Sequence, residues 1–307
     1  LTSPSQLGDL TAAAAVEAEP RFRVQDYAVL LKLRVMSLVV FTGCVGMLMA
    51  PAPVSLETAL ATVLFIAIGA GSAGAINMWY DRDIDGVMAR TKDRPLPAGR
   101  LQPQTALAFG LALGIVSVAA MALAVNVVAA LLLALTIVYY VFVYTVWLKR
   151  RTPQNIVIGG AAGALPPMIG WAAATGDIGL GGIVLFAIIF LWTPPHSWAL
   201  ALFSTGDYDR AGVPMLPVVA GETAARRHIL AYTALLVPVS LLPVAIGMSG
   251  LAYGIVAGVL GALFVHHAVR VVRGEAQAPK ALFLFSILYL FLIFASLVGD
   301  RALGTLL

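Results

Sequence analysis

Charge is what this chain has least of. Asp, Glu, Lys and Arg make up 11% of its 307 residues and apolar residues 61%, whereas soluble domains carry about 25% charged residues. That balance excludes a soluble globular domain and describes a chain that crosses a membrane several times. Cysteine is nearly missing as well. The single Cys44 lies inside an apolar stretch, which excludes a disulfide framework and a cysteine metal site and leaves a small buried apolar residue. The net charge of +4 is not read as affinity for nucleic acid, and no such partner is expected. Residues 1–24 have no apolar run longer than Ala12 to Val16 and are too acidic for a signal peptide. They read as a flexible cytoplasmic tail, and residues 25–307 as a single transmembrane domain.

Long apolar runs are abundant. Segments able to cross about 30 Å of hydrocarbon occur at 29–50, 55–79, 104–123, 126–147, 155–174, 178–203, 228–247, 250–270 and 281–299. The expected fold class is an all-α polytopic membrane protein of nine transmembrane helices. The odd-to-even connections are short and carry no Lys or Arg, while the N-terminal region and the even-to-odd connections hold 18 of the 19 basic residues. By the positive-inside rule the N-terminus is cytoplasmic. The long connections 80–103, 148–154, 204–227 and 271–280 then share that side, so a binding apparatus is expected to face the cytoplasm. Gly69, Gly71, Gly74, Gly159, Gly160 and Gly163 read as sites of close helix contact.

Acids are few, yet three aspartates fall within five residues at the end of the second span, in Asn77-Met78-Trp79-Tyr80-Asp81-Arg82-Asp83-Ile84-Asp85. Asn77, Asp81 and Asp85 are spaced i, i+4, i+8, one stripe of a helix with about 6 Å per step. Oxygen ligands at that spacing suit magnesium, which takes carboxylates, waters and substrate phosphates. The stripe is expected at a wet, polar mouth, and Asp83 points away from it. Arg90, Lys92, Arg94 and Arg100 follow, so a diphosphate can be bridged by metal to the aspartates and neutralised by these cations; Arg90 and Arg94 are the stronger phosphate candidates. Asp207, after the sixth span, offers a second metal ligand facing the first, whereas Asp209 points to the opposite helix face. Lys149-Arg150-Arg151 forms another basic knot. Lys32 and Arg34 open the first span, long enough to reach a phosphate or to snorkel to headgroups. His196 follows Pro194-Pro195 inside the sixth span, where prolines free backbone groups that only a protein-lined cavity satisfies.

These motifs resemble the intramembrane, UbiA-type prenyltransferase superfamily, and from about residue 27 to 300 the likeness is to its heme-farnesylating branch. Carrying it are Lys32 to Leu38, Asn77 to Asp85, Arg90 to Leu96, Tyr144 to Arg150, Asn155 to Gly160, Trp192 to His196 and Asp207 to Pro217. The Asn-x-x-x-Asp-x-x-x-Asp element is shared across the superfamily; Pro-Pro-His and the Asp207 segment are particular to the heme branch. Quinone-making members carry a second Asp-x-x-x-Asp, and here Ala211 stands where its last acid would be.

The resemblance implies nine helices around a central cavity, with Mg2+-bound farnesyl diphosphate at the cytoplasmic mouth. It implies Asn77, Asp81, Asp85 and Asp207 as metal and catalytic residues. Diphosphate contacts fall to Arg90, Arg94 and Lys149, with Lys32 and Arg150 beside them. The implied reaction is farnesyl transfer to a vinyl group of heme B with addition of water, giving heme O, with His196 orienting heme or handling the water. A bacterial cytoplasmic membrane is implied, with heme A synthase or cytochrome oxidase assembly factors as partners. The alternatives are another acceptor on the same fold, an aromatic acid or chlorin, and a transporter.

Overall fold

A computed structural model describes residues 23–304; the expected tail lies almost wholly outside them. The described residues hold helices and no strand. Eight are long and apolar enough to cross a membrane, and a bent pair at the N-terminus, meeting at 57°, brings the number to nine if it is one span. That pair is α1 (Val24–Leu30) and α2 (Leu33–Met49). Then come α3 (Leu56–Tyr80), the short α4 (Arg82–Val87), α5 (Pro103–Ala124) and α6 (Val127–Val138), which runs on as a π-helical stretch, Tyr139–Leu148. The fifth span is broken into α7 (Asn155–Ala164) and α8 (Pro166–Thr175), and α9 (Leu180–Phe203) follows. Two short helices, α10 (Thr205–Arg210) and α11 (Leu216–Val219), precede α12 (Gly221–Ala245), α13 (Leu251–Val272) and α14 (Ala278–Gly304).

Local chemistry explains the breaks. Asn126 separates the third and fourth spans: its Oδ1 accepts from Ala129 N at 2.8 Å, capping α6, and its Nδ2 donates to Ala172 O at 2.9 Å. Pro166 has no N–H to continue α7. In α9, by contrast, the helix runs through Pro194 and Pro195. The prolines leave the carbonyls four residues earlier without a helical donor, yet the expected disturbance does not end the helix. The seventh span begins earlier than apolarity alone predicts, at Gly221, because polar first turns are tied by the Arg226–Glu222 pair at 2.8 Å.

Close packing follows the small residues. α3 packs on α5, α2 on α8, and α12 on both α9 and α13, with α14 closing against α13 and α9. The tightest approach is α2 on α8, where a Cβ on Gly46 would lie 2.0 Å from Pro167 O. Such contact replaces the hydrophobic drive that lipid cannot supply. Across α12, α13 and α14, Tyr253 donates to Ser240 O at 2.6 Å and the Tyr289 and Ser240 hydroxyls are 2.8 Å apart, so these three buried hydroxyls are partnered, while Thr233 Oγ1 of α12 is not.

Candidate active site

The aspartate stripe is real but bent. α3 ends at Tyr80, Asp81 has φ −86° and ψ 5°, and α4 restarts at Arg82. The helical bonds Asp81 N to Asn77 O (2.9 Å) and Asp85 N to Asp81 O (2.8 Å) persist across the joint, which keeps the three side chains on one side. They do not face a wet mouth as expected. Asn77, Asp81 and Asp85 are 4%, 1% and 3% exposed, because cations from three other segments close over them.

Each acid has its own cation. Lys149 pairs with Asp81, and Arg94 donates to Asp85 Oδ2 at 2.6 Å. Asn77 is held at both ends: Nδ2 donates to Asp81 Oδ2 at 2.7 Å and to Thr145 Oγ1 at 3.1 Å, and Oδ1 accepts from Lys32 Nζ at 2.6 Å. Lys32 reaches it from the joint between α1 and α2 with φ 52°, the one non-glycine residue at positive φ among those described. That conformation costs about 1–2 kcal/mol, so the bend is held by what Lys32 touches. Asp81 Oδ1 stays buried without a hydrogen-bond partner, with Arg150 3.6 Å away.

Lys149 arrives through the π-helical stretch. Thr145 Oγ1 donates to the carbonyl five residues back, Tyr140 O, at 2.8 Å, and Lys149 N donates to Tyr144 O at 2.9 Å. Wide turns of this kind are frequent at functional sites. Here the wider winding aims Thr145 and Lys149 at Asn77 and Asp81. Arg150, the next residue, turns outward, binding both oxygens of Asp83 at 2.7 Å and lying 4.8 Å over the Tyr80 ring. The hydrogen bond from Arg150 holds the Asp83 carboxyl below the ordinary carboxylate range, and Asp83 in turn raises the Arg150 guanidinium. This pair clamps α4 to the end of the fourth span.

A polar chamber of about 230 Å³ opens among Lys32, Arg90, Arg94, Lys149, Asn77 and Asp85. It brings together most of the expected diphosphate residues; Arg150 does not line it. Tyr208 and Met215 close it from the segment after α9. Asp207 stands nearby on α10, paired with Arg210 and accepting from Ala89 N at 3.4 Å, which sets it opposite the loop that follows α4. Asp209 is exposed. Among the described residues no three His, Cys, Asp or Glu side chains converge into a metal cluster. Arg100 is tied to Asp26 at 3.0 Å and to Asp93 O at 3.0 Å, a structural latch away from the chamber.

Above the chamber lies an apolar cavity of about 310 Å³ that shares its walls Val35, Tyr140, Tyr144 and Ile156. His196, Trp192 and Thr193 of α9 line its far side, and Gly159, Gly160 and Gly163 of α7 line it as well. Two polar residues inside apolar helices, Tyr140 and Thr145, were not singled out in the sequence, although hydroxyls within an otherwise apolar span are a usable signal. A cation-lined vestibule leading to an apolar room suits an amphiphile with a phosphorylated head and a hydrocarbon tail.

The likenesses to known proteins agree. The UbiA prenyltransferase family matches residues 39–295. "Protoheme IX farnesyltransferase" of Acidiphilium cryptum (strain JF-5) is 58% identical over 286 residues, 90% of both chains. The protein of that name from Brucella ovis is 55% identical over 281 residues, again 90% of each. Among solved structures, a UbiA homologue from Archaeoglobus fulgidus bound to GPP and Mg2+ has a TM-score of 0.63 at 18% identity, covering 89% of this chain and 99% of that one. A digeranylgeranylglyceryl phosphate synthase structure has a TM-score of 0.74 at 17% identity, covering 90% and 98%. These two share the fold. With the family spanning most of the sequence and relatives at more than half identity along nine-tenths of it, this multi-pass membrane chain belongs to the UbiA prenyltransferase family.

Proposed function

We propose that the protein transfers the farnesyl group of farnesyl diphosphate to a vinyl carbon of heme B, with addition of water, giving heme O. The observation that carries the reaction class is the cation-lined chamber that shares its Val35, Tyr140, Tyr144 and Ile156 walls with an apolar cavity. The acceptor rests on the relatives of that name.

The residues suit a divalent cation. Two carboxylates and an amide oxygen from one helical stripe are a hard, all-oxygen donor set, few enough to leave room for water and phosphate. Asp81 Oδ1 is buried and unpartnered, as a ligand position would be. On this reading Asn77, Asp81 and Asp85 hold Mg2+, with Asp207 across the entrance, and the ion supplies positive charge to the departing diphosphate. Arg94 and Lys149 exchange their carboxylate partners, and Lys32 the Asn77 oxygen, for phosphate oxygens, with Arg90 beside them on the chamber wall. Arg150 acts at one remove by fixing α4 through Asp83.

The C1–O bond of farnesyl diphosphate breaks, and the electron pair leaves with pyrophosphate. Fixed cations stabilise that charge most where water is excluded. The apolar cavity shelters the allylic cation until the vinyl carbon forms the C–C bond, and water captures the resulting porphyrin-side cation. We place this chemistry on the cytoplasmic face of a bacterial inner membrane, within a single domain spanning 25–307, with product passing to heme A synthase or oxidase assembly factors. The test is turnover by purified protein with farnesyl diphosphate and Mg2+, offering heme B and 4-hydroxybenzoate in parallel. Farnesylated, hydrated heme is the expected product. Prenylated benzoate alone would overturn the acceptor, and intact diphosphate in both would overturn the reaction.

A further inference from the structure

One turn of α9 and one turn of α14 build a cluster that the diphosphate chemistry does not use. The His196 ring is stacked between Trp192, centroids 4.3 Å apart at 18°, and Phe283, 4.7 Å apart at 25°. Fully buried Ser286 ties the three together. Its carbonyl accepts from Trp192 Nε1 at 2.7 Å, and its hydroxyl lies 2.7 Å from His196 Nδ1. That hydroxyl also lies 2.7 Å from Phe283 O.

The hydroxyl has one proton, and a carbonyl can only accept. Both contacts are hydrogen bonds at once only when the proton goes to Phe283 O and the Ser286 oxygen receives its bond from His196 Nδ1–H. This choice leaves Nε2 as the lone-pair nitrogen. Stacking on both faces holds the ring plane, so Nε2 stays on the edge away from Ser286. It has no hydrogen-bond partner among the described residues and is not one of the sealed, unpartnered buried atoms; it opens on the apolar cavity that His196 lines. Among the described residues lining that cavity, His196 is the one imidazole and there is no carboxylate.

We propose that Ser286 is a positioning residue that locks His196 in its Nδ1–H tautomer, so that Nε2 serves as general base for the water that captures the porphyrin-side cation. The proposal rests on the heme-farnesylating function above. In the step itself, the water oxygen bonds to the cationic carbon while its O–H bond breaks. The proton moves to Nε2, and the imidazolium keeps its Nδ1–H bond to Ser286 until it releases the proton to solvent with product. Ser286 thus plays toward His196 the part that a second hydrogen-bonding group commonly plays in fixing which imidazole nitrogen is basic.

The experiment combines two readouts on the full-length protein in detergent. Uniformly 15N-histidine-labelled protein has four imidazoles, His196, His228, His266 and His267, and the His196 signals are those lost in His196→Gln. We expect a protonated Nδ1 and a bare Nε2 in the wild type, a mixed or inverted tautomer in Ser286→Ala, and recovery in Ser286→Thr. In turnover with heme B, Ser286→Ala should keep its KM for farnesyl diphosphate, lose roughly tenfold or more in kcat, and release a larger share of product one water lighter; Ser286→Thr should restore both. A wild-type Nε2–H tautomer, or an unchanged tautomer in Ser286→Ala, overturns the positioning role even if that variant turns over poorly. A shifted tautomer with unchanged hydration of product overturns the base role. If wild-type protein farnesylates no heme, the functional reading fails and takes the base role with it, while the nitrogen signals still decide the Ser286–His196 contact.

Discussion

At the scale of single residues, the site is a set of matched charges awaiting exchange. Lys149 and Asp81 form a buried pair at the head of the stripe, and removing one partner of such a pair costs about 3 kcal/mol because the other charge is left uncompensated. Asp81→Asn is therefore expected to lose thermal stability as well as turnover. In Asp81→Asn/Lys149→Met stability should return while activity stays down on the order of 100-fold. Melting curves and kcat separate the two effects, and a double variant with recovered activity would remove Asp81 from the chemistry. On α10, Asp207 is half-buried against the loop after α4, where Ala89 N donates to it, and Asp209 is exposed. Turnover titrated against Mg2+ should weaken by roughly tenfold or more in Asp207→Asn and stay near wild type in Asp209→Asn; equal losses would detach Asp207 from the metal.

The elements decide what those residues can reach. The bend at Asp81 and the π-helical winding from Tyr139 to Leu148 bring a helix end and a loop lysine together at the point where the second and fourth spans leave the bilayer. α7 does the opposite service by being thin. A methyl group built on Gly163 would meet no atom within 4 Å, although Gly159 and Gly160 are pressed against Tyr144 and Thr193. The expectation that most of these glycines serve packing thus holds for Gly159 and Gly160, while Gly163 keeps space open. Gly163→Phe should fill part of the cavity, lower turnover with farnesyl diphosphate roughly tenfold and favour geranyl diphosphate. Competition between the two diphosphates measures it, and an unchanged preference would place the prenyl tail elsewhere.

Across the whole molecule, the chamber and its closing segments lie at one end of the bundle. At the other end Arg301 donates to Ala50 O at 3.1 Å, and Asp300 accepts from Gly250 N at 2.5 Å, tying α14 to the ends of α2 and α13. On the proposed orientation, which rests on the charge bias, the chamber faces the cytoplasm. In a Cys44→Ala background, which removes the single thiol, Asp209→Cys should react with an impermeant maleimide only in inverted vesicles. Asp177→Cys, exposed between the fifth and sixth spans, should react only in right-side-out ones. The reverse pattern would turn the protein over in the membrane.

Much was legible without coordinates. Hydrocarbon thickness sets span length and backbone groups must be paired inside lipid, so most long helices follow from apolarity to within a few residues, as 104–123 against Pro103–Ala124 shows, with the polar start of α12 the exception. Costly acids at a span end likewise marked Asn77, Asp81 and Asp85, because charge is rare there unless it is used. Other features depend on partners distant in sequence, which a linear reading cannot place. Lys149 meets Asp81 across 68 residues and Ser286 meets His196 across 90. The bend at Lys32 is held by Asn77, 45 residues on, and the burial of the aspartates comes from cations on three separate segments. Local chemistry wrote the spans and named the acids. Only the packed bundle decided which cation covers which acid, where the cavity lies and which nitrogen of His196 faces it, since those are properties of surfaces brought together by folding.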